Sequence, residues 1–342
     1  MSTDNISIHL FSELEEADIL AFNKKAYPNK AHKLNSPLLK WQFRIGYDAK
    51  VEPIYIKYEG KIVGQAALQP IMATCGAQQY MATWYNNFIV LPSMQGKGLG
   101  KILTQKWMEL APLHITNCND NSMAVFRKLG WDEEFHTVRY GLPININALA
   151  RSKGWTGVKA MAAAVLSPLY SLWLKMKYGK AQHAAITPIK DIPLDEIVTD
   201  CKEEGENRLV RDKAWVQWRL LDSPYANKHY RIKLGDAVIY FRVLEYADIK
   251  RIHILYQNTN VAAKAQRAVL QALVAHAIQE KVGLLWGITN VPALKELYDK
   301  VLFDKLSARF AYHSQEGEVM QGLKNAPLPL QSIDSDYDFM YF

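Results

Sequence analysis

The sequence predicts an α/β protein with mixed (α+β) sheets, arranged as two tandem domains of one design. Three observations carry this expectation. Strand-like and helix-like segments alternate along the chain, residues 88–101 read as a strand, a glycine-rich turn and a helix, and the second half echoes the spacing of the first. A length of 342 residues is enough for two cores of ordinary size, and 49% hydrophobic with 22% charged residues is a globular composition.

In chain order, Ile6 to Leu10 alternates like a short strand. Ser12-Glu13-Leu14-Glu15 then has the form of a capping box opening a helix to about Tyr27. Tyr55 to Tyr58 and Lys61 to Gly64 flank Glu59-Gly60, which reads as a hairpin. Thr83 to Val90 is a long strand, and Leu99, Ile102, Leu103, Trp107 and Leu110 have helical spacing. A strand at Leu113 to Cys118 comes next, then a short helix at Ser122 to Leu129, closed by Gly130.

A shift of 175 positions pairs Gln42 with Gln217, Arg44 with Arg219, Tyr55 with Tyr230, Gly60 with Gly235 and Val63 with Val238. The order of elements then repeats: a strand at Ile252 to Tyr256, a helix from Ala262 to Gln279, a strand at Gly283 to Ile288 and a helix from Ala293 to Tyr298. The expected organisation is a catalytic domain over 1–145, a helical linker over 146–185, and a second domain over 186–342.

The formal charge of +7 is modest and reads as spread along the chain, with short basic clusters at Lys24-Lys25 and Lys175 to Lys180. That argues against a nucleic-acid binder and suits a small polyanion carrying phosphates. Cys75, Cys118 and Cys201 form no C-x-x-C pair, so neither a disulfide framework nor a metal site is expected. The polar start, Met1 to Asn5, is not a secretory signal, and the cytoplasm is the expected compartment. Val158 to Leu174 is apolar apart from Lys159, Ser167, Pro168 and Ser171. It is slightly short for a bilayer span and is expected as a buried or domain-bridging helix. Interfacial membrane contact is the alternative, because Lys153, Lys159, Lys175, Lys177 and Lys180 flank or enter it.

The most informative segment runs from Phe88 through Pro92 and Gln95-Gly96-Lys97-Gly98-Leu99-Gly100-Lys101. Glycines let the backbone approach a ligand and take positive φ, and the next helix presents free N–H groups and its positive dipole end. Together they form a phosphate pocket, with Lys97 and Lys101 at its rim. A dinucleotide fingerprint fails because Lys101 stands where its last glycine belongs. A nucleoside-triphosphate loop fails because Gln95 replaces its first glycine and Ile102 comes after the lysine. The pattern that fits is Q-x-x-G-x-G, and here the chain resembles the GNAT N-acetyltransferase superfamily. Val90-x-Pro92 resembles the end of that family's fourth strand. Asn119, Ser122, Val125, Phe126, Gly130 and Trp131 fall on its downstream pattern N-x-x-A-x-x-L-Y-x-x-x-G-F, with conservative departures. The resemblance covers about 6 to 142.

The resemblance implies that acetyl-CoA is the co-substrate. It implies that main-chain groups of Ile89 and Val90 pair with the pantetheine arm, and that the amides of Gly96, Lys97, Gly98, Leu99 and Gly100 hold the pyrophosphate. Gln95 and Lys101 complete that loop, and Asn119, Ser122 and Phe126 lie near the thiol end. The implied reaction is direct acyl transfer to an amine, driven by positioning and a strand N–H at the oxyanion. The acid–base residues depart from the family pattern. Thr83 to Asn87 lacks the glutamate that many relatives use as base, and Phe126 replaces the tyrosine that protonates the thiolate. Tyr85, Asn87 and His114 are the candidate catalytic residues, although Tyr85 and His114 also read as core. Cys118 reads as an inert buried thiol rather than a covalent nucleophile.

After the strand of the second half, Gln257 to Ala263 contains no glycine, so no equivalent phosphate pocket forms. Tyr298 and Phe303 repeat the spacing of Phe126 and Trp131. The second half therefore reads as a degenerate GNAT-like copy that shapes the acceptor site. Arg211, Trp215, Trp218 and Arg219 are candidate acceptor contacts, and Asp334 to Asp338 is either a further contact or an exposed acidic tail. Tandem GNAT proteins of similar length in bacterial surface-polysaccharide pathways make an amino sugar the leading acceptor. The alternatives are a non-catalytic acyl-CoA sensor and a membrane-associated acyltransferase.

Overall fold

The computed structural model describes residues 5–118, 120–134, 137–246, 249–302 and 304–334; Asn119, Phe303 and the acidic residues after Asp334 lie outside them. The first stretch of elements is β1 (Ile6–Leu10), α1 (Glu16–Ala26), α2 (Ser36–Gln42), β2 (Ile54–Tyr58), β3 (Lys61–Cys75), β4 (Gln78–Val90), α3 (Leu99–Trp107), β5 (Leu113–Asn117), α4 (Asp120–Lys128) and β6 (Asp132–Glu134). Next come β7 (Val138–Pro143), α5 (Ile146–Ser152), α6 (Gly157–Tyr178), β8 (Ala185–Pro188), α7 (Leu194–Asp200), β9 (Arg208–Leu209) and α8 (Lys213–Val216). The last are β10 (His229–Leu234), β11 (Ala237–Tyr246), β12 (Ile249–Gln257), α9 (Ala263–Gln279), β13 (Leu284–Thr289), α10 (Pro292–Val301), β14 (Asp304–Ser307), β15 (Phe310–Ser314) and α11 (Gly317–Asn325).

Most of the expected elements are present. Glu59 and Gly60 take left-handed backbone, φ 50° and 74°, and turn β2 into β3 as the hairpin signal requires. The capping box does not form. Ser12 N–H is taken by Glu52 Oε2 at 2.9 Å, and Glu15, at the start of α1, caps nothing with its side chain.

The chain divides into two compact units, and neither is a contiguous half. The first comprises residues 1–135, 205–210 and 309–328; the second comprises 136–204, 211–308 and 329–342. The first sheet has the order β1-β2-β3-β4-β5-β15-β6, with β9 beside β3. Read in the same direction, the second is β8-β10-β11-β12-β13-β7-β14. The two orders repeat one plan, including, among the described residues, a single parallel pair, β4 with β5 and β12 with β13, each joined through a helix. In each sheet the sixth strand comes from the other half of the sequence: β15 lies between β5 and β6, and β7 lies between β13 and β14. The boundary expected at residue 145 therefore falls elsewhere, and residues 146–185 contribute α5, α6 and β8 to the second unit.

The first unit's core lies under β2–β5 and α3, where Tyr85, Trp107, Phe126 and Trp131 interlock. The second unit's core lies between its sheet and α9 and α10. The apolar helix α6 corrects the expectation of burial. Only Ala163, Leu174 and Tyr178 along it are buried, while Val158, Met161, Val165, Leu169 and Met176 are exposed.

Candidate active site

The site begins where two parallel strands part. β4 and β5 pair from Ala82–Leu113 to Tyr85–Thr116, and the pairing stops there. Across β4, the register with β3 shifts so that Asn87 and Phe88 both oppose Ala66. Asn87 sits at φ 48°, and its carbonyl accepts hydrogen bonds from Tyr27 Oη at 3.3 Å and Gln65 Nε2 at 3.2 Å. A bulge of this kind bends its strand and re-aims the next residues. Beyond it lies a groove of about 890 Å³, lined by Phe88, Ile89 and Val90, by Met94 to Gly96 and Gly98 to Lys101, and by Ser122, Val125, Lys128 and Leu129 of α4.

Alternation along the β4 ladder decides which main-chain groups face this groove. Leu91 N–H donates to Val63 O at 2.9 Å, so Leu91 and Ile89 direct their amides to β3, and Val90 directs its N–H and C=O the other way. Gln95 Nε2 donates to Val90 O at 3.0 Å from that side. The expected pairing of both Ile89 and Val90 with a ligand is thus corrected. Ile89 lines the groove, but only Val90 of the two offers it main-chain groups.

The three glycines have different tasks. Gly96 and Gly98 stand at φ 76° and 80°, and a Cβ built on either would enter open space. Gly98 caps α3 with no side chain, so the first N–H groups of that helix point outward unsatisfied by capping. Gly100 instead makes room for a ring, since its Cβ would stand 3.1 Å from Phe88 Cζ. Lys101 and Lys128 contribute positive charge, and no carboxylate appears among the lining residues. The surface suits an anion held by amides and cations together. Lys97 is turned aside, with its Nζ 3.4 Å from Met94 Sδ.

Most of the candidate catalytic residues sit away from the groove. Tyr85 is buried and stacks on Trp107 at 3.5 Å between centroids, and burial pushes its phenol well above the usual range. His114 is fully buried. Trp107 Nε1 donates to Thr83 Oγ1, which leaves the Thr83 hydroxyl to donate to His114 Nδ1 at 2.7 Å. His114 Nε2–H then faces Met108 O at 3.3 Å. Burial, reinforced by His313, lowers its pKa to about 4, so it is a neutral core residue. Asn87 forms the bulge. Phe126 packs in the aromatic core rather than on the groove, and the α4 face that does line it carries Ser122, Val125, Lys128 and Leu129. Helical spacing from Ser122 is the sequence signal for Lys128, Val125 and Leu129. Phe88 and Met94 have no signal in the motif. Cys118 is buried, 3.4 Å from Met123 Sδ, and is not among the lining residues.

The model of the GNAT acetyltransferase family matches residues 16–131, which contain the whole groove. Residues 16–131 are a GNAT acetyltransferase domain. That family's chemistry is acyl-CoA-dependent N-acyl transfer, with acetyl-CoA the co-substrate it uses. Among solved structures, Saccharomyces cerevisiae N-myristoyltransferase with bound myristoyl-CoA shares the fold at 11% identity and TM-score 0.60, over 91% of this chain and 83% of that one. A GCN5-related N-acetyltransferase from Anabaena variabilis does so at 12% and 0.56, over 90% and 72%. A putative acetyltransferase from Pyrococcus horikoshii does so at 11% and 0.54, over 93% and 92%. No curated protein matches the sequence.

The second unit repeats the parting of strands but not the GNAT groove. Asn258 N–H donates to Val238 O at 3.2 Å, as Leu91 does to Val63, so Gln257 holds the ladder position of Val90. Both of its outward main-chain groups are taken by the Gln331 carboxamide: Gln257 N–H donates to Gln331 Oε1 at 2.8 Å, and Gln331 Nε2 donates to Gln257 O at 3.0 Å. Thr289 of β13 bridges to the same Gln331. Three of the four expected acceptor contacts of this unit are structural, and the fourth, Trp218, is half-buried against Trp215. Arg211 is buried against Asp334, at 2.9 and 2.6 Å, and Glu203, at 2.7 Å. Arg219 Nε donates to Ile333 O at 2.8 Å, and Trp215 is core. Asp334 is therefore buried and is no part of an exposed tail.

Proposed function

We propose that the chain transfers an acetyl or short acyl group from acetyl-CoA to a primary amine, and that the amine is one already partly neutral near pH 7, such as that of an amino sugar. The observation that carries the reading is the outward pair of main-chain groups at Val90, an N–H and a C=O that shares its lone pairs with Gln95 Nε2, continued by the amides of Gly96 to Lys101. The first suits the amides of a pantetheine arm, and the second suits a pyrophosphate. The second unit supplies an internal precedent, because a carboxamide fills the corresponding position there.

Chemically, the amine nitrogen attacks the thioester carbonyl, a C–N bond forms and the C–S bond breaks. The amine proton leaves to water, and the thiolate takes a proton from solvent. A β4 N–H steadies the oxyanion. No carboxylate or histidine lines the groove among the described residues, so an acceptor near pKa 8, about a tenth neutral at pH 7, fits better than a lysine near 10.4. Thiol release should be measured with acetyl-CoA and longer acyl-CoAs against amino sugars, polyamines and peptides. Release with an amino sugar supports the reading. Tight CoA binding without release from any amine would make the domain an acyl-CoA sensor instead.

A further inference from the structure

The exposed face of α6 has a pattern of its own. At about 100° per residue, Val158, Met161, Val165, Leu169, Leu172 and Met176 fall within a sector of roughly 80°, and each is 56% to 79% exposed. The buried stripe, Ala163, Leu174 and Tyr178, lies on the opposite side. It is held to the second unit along its length, with Tyr170 Oη donating to Pro143 O at 2.7 Å and Tyr178 Oη to Val301 O at 3.3 Å. The helix is long and apolar enough to cross a bilayer, but a helix fastened sideways to its own domain lies flat.

Charge surrounds this ridge. Residues 135 to 190 contain eight Lys or Arg and no Asp or Glu, against a net +7 for the whole chain, so the basic charge is concentrated here rather than spread. On the helix, Lys159 and Lys177 flank the ridge on one side and Lys175 on the other. Trp155 and Trp173 stand near its two ends, each under a lysine, Lys153 and Lys177. On the Lys175 side is a hollow of about 480 Å³, lined by Arg151, Lys175, Lys281, Ser167, Ser171 and Asn145. A second copy of the chain would bring the same cations face to face, which disfavours a symmetric dimer through this surface.

We propose that α6 and the hollow beside it form an in-plane docking surface for an anionic lipid bilayer. The ridge enters the acyl boundary, the lysines extend to the headgroups, and Arg151, Lys175 and Lys281 receive a lipid phosphate. The surface stands independently of the acyl-transfer reading.

Flotation of the full chain with phosphatidylcholine vesicles, with and without phosphatidylglycerol, tests this. The protein should float with the anionic vesicles and only weakly with the neutral ones. Val165→Glu with Leu169→Glu should abolish flotation while the unfolding midpoint stays close to wild type, because both side chains face outward. Lys175→Gln should weaken anionic binding about fivefold. Failure of the wild type to float with either vesicle overturns the proposal, as does flotation of the ridge variant like wild type. A dimer in light scattering that the ridge variant dissolves would assign the face to a second copy and also overturn it.

Discussion

Replacing Gly98 by glutamate tests the groove at the glycine turn before α3. The residue is at φ 80°, where any side chain costs about 1–2 kcal/mol in backbone strain. Its Cβ would meet nothing within 4 Å, so there is no steric clash to add. Gly98→Ala carries the same strain without a charge and is the control. A carboxylate about 4 Å from one pyrophosphate charge repels it by about 4 kcal/mol at an effective dielectric of 20. Solvent in the open groove cuts this to about 2 kcal/mol, a loss of roughly 30-fold in CoA affinity beyond that of the alanine variant. Calorimetry with CoA on both variants, at low and high salt, reads the difference directly. The gap should narrow as salt rises. Equal affinity of the two variants at every salt concentration would refute the placement of the diphosphate at this corner.

Val90→Pro removes a groove-facing N–H that the β3 ladder does not use. It should raise the KM for acetyl-CoA by about 1 kcal/mol in binding, near fivefold, and an unchanged KM would remove Val90 from the cofactor contacts. For His114 the folded pKa, about 4, lies below the usual 6.5, so the unfolded chain binds the extra proton first. Its contribution to stability is therefore complete above pH 6.5 and is lost as pH falls toward 4. His114→Gln should flatten that acid loss in urea titrations while leaving turnover near wild type; loss of turnover without loss of stability would restore it to the chemistry. Arg211→Met leaves Glu203 and Asp334 buried without their cation and should cost about 3–5 kcal/mol in urea unfolding. The same variant, where folded, should keep its acceptor KM.

The groove is legible in the sequence because its backbone demands are written as residue types. Positive φ at Gly96 and Gly98 calls for glycine, and a strand before and a helix after show in periodicity. The acid–base candidates are less legible. His114 and Tyr85 sit on buried strand faces, and sequence alone does not distinguish a polar group that is satisfied internally from one that meets substrate. The outward aim of Val90 depends on a bulge at Asn87, a residue with no glycine to announce a positive φ. The echo between Gly60 and Gly235 marks two hairpins correctly. It says nothing of β7 and β15, short strands whose partners lie far along the chain. α6 departs from its expected burial for a plain reason: an apolar run records what avoids water, without saying whether protein or some other apolar phase covers it.

Because β15 comes from residues 310–314 and flanks β5, the sheet that carries the groove is complete only once those residues have been made. Residues 1–145 expressed alone would leave a slot between β5 and β6 and two raw strand edges. The reciprocal loan of β7 leaves the other sheet equally incomplete. Removing either half of the sequence would leave both sheets a strand short, so the second unit, where Gln331 holds the main chain of Gln257, cannot be cut away without opening the first sheet as well.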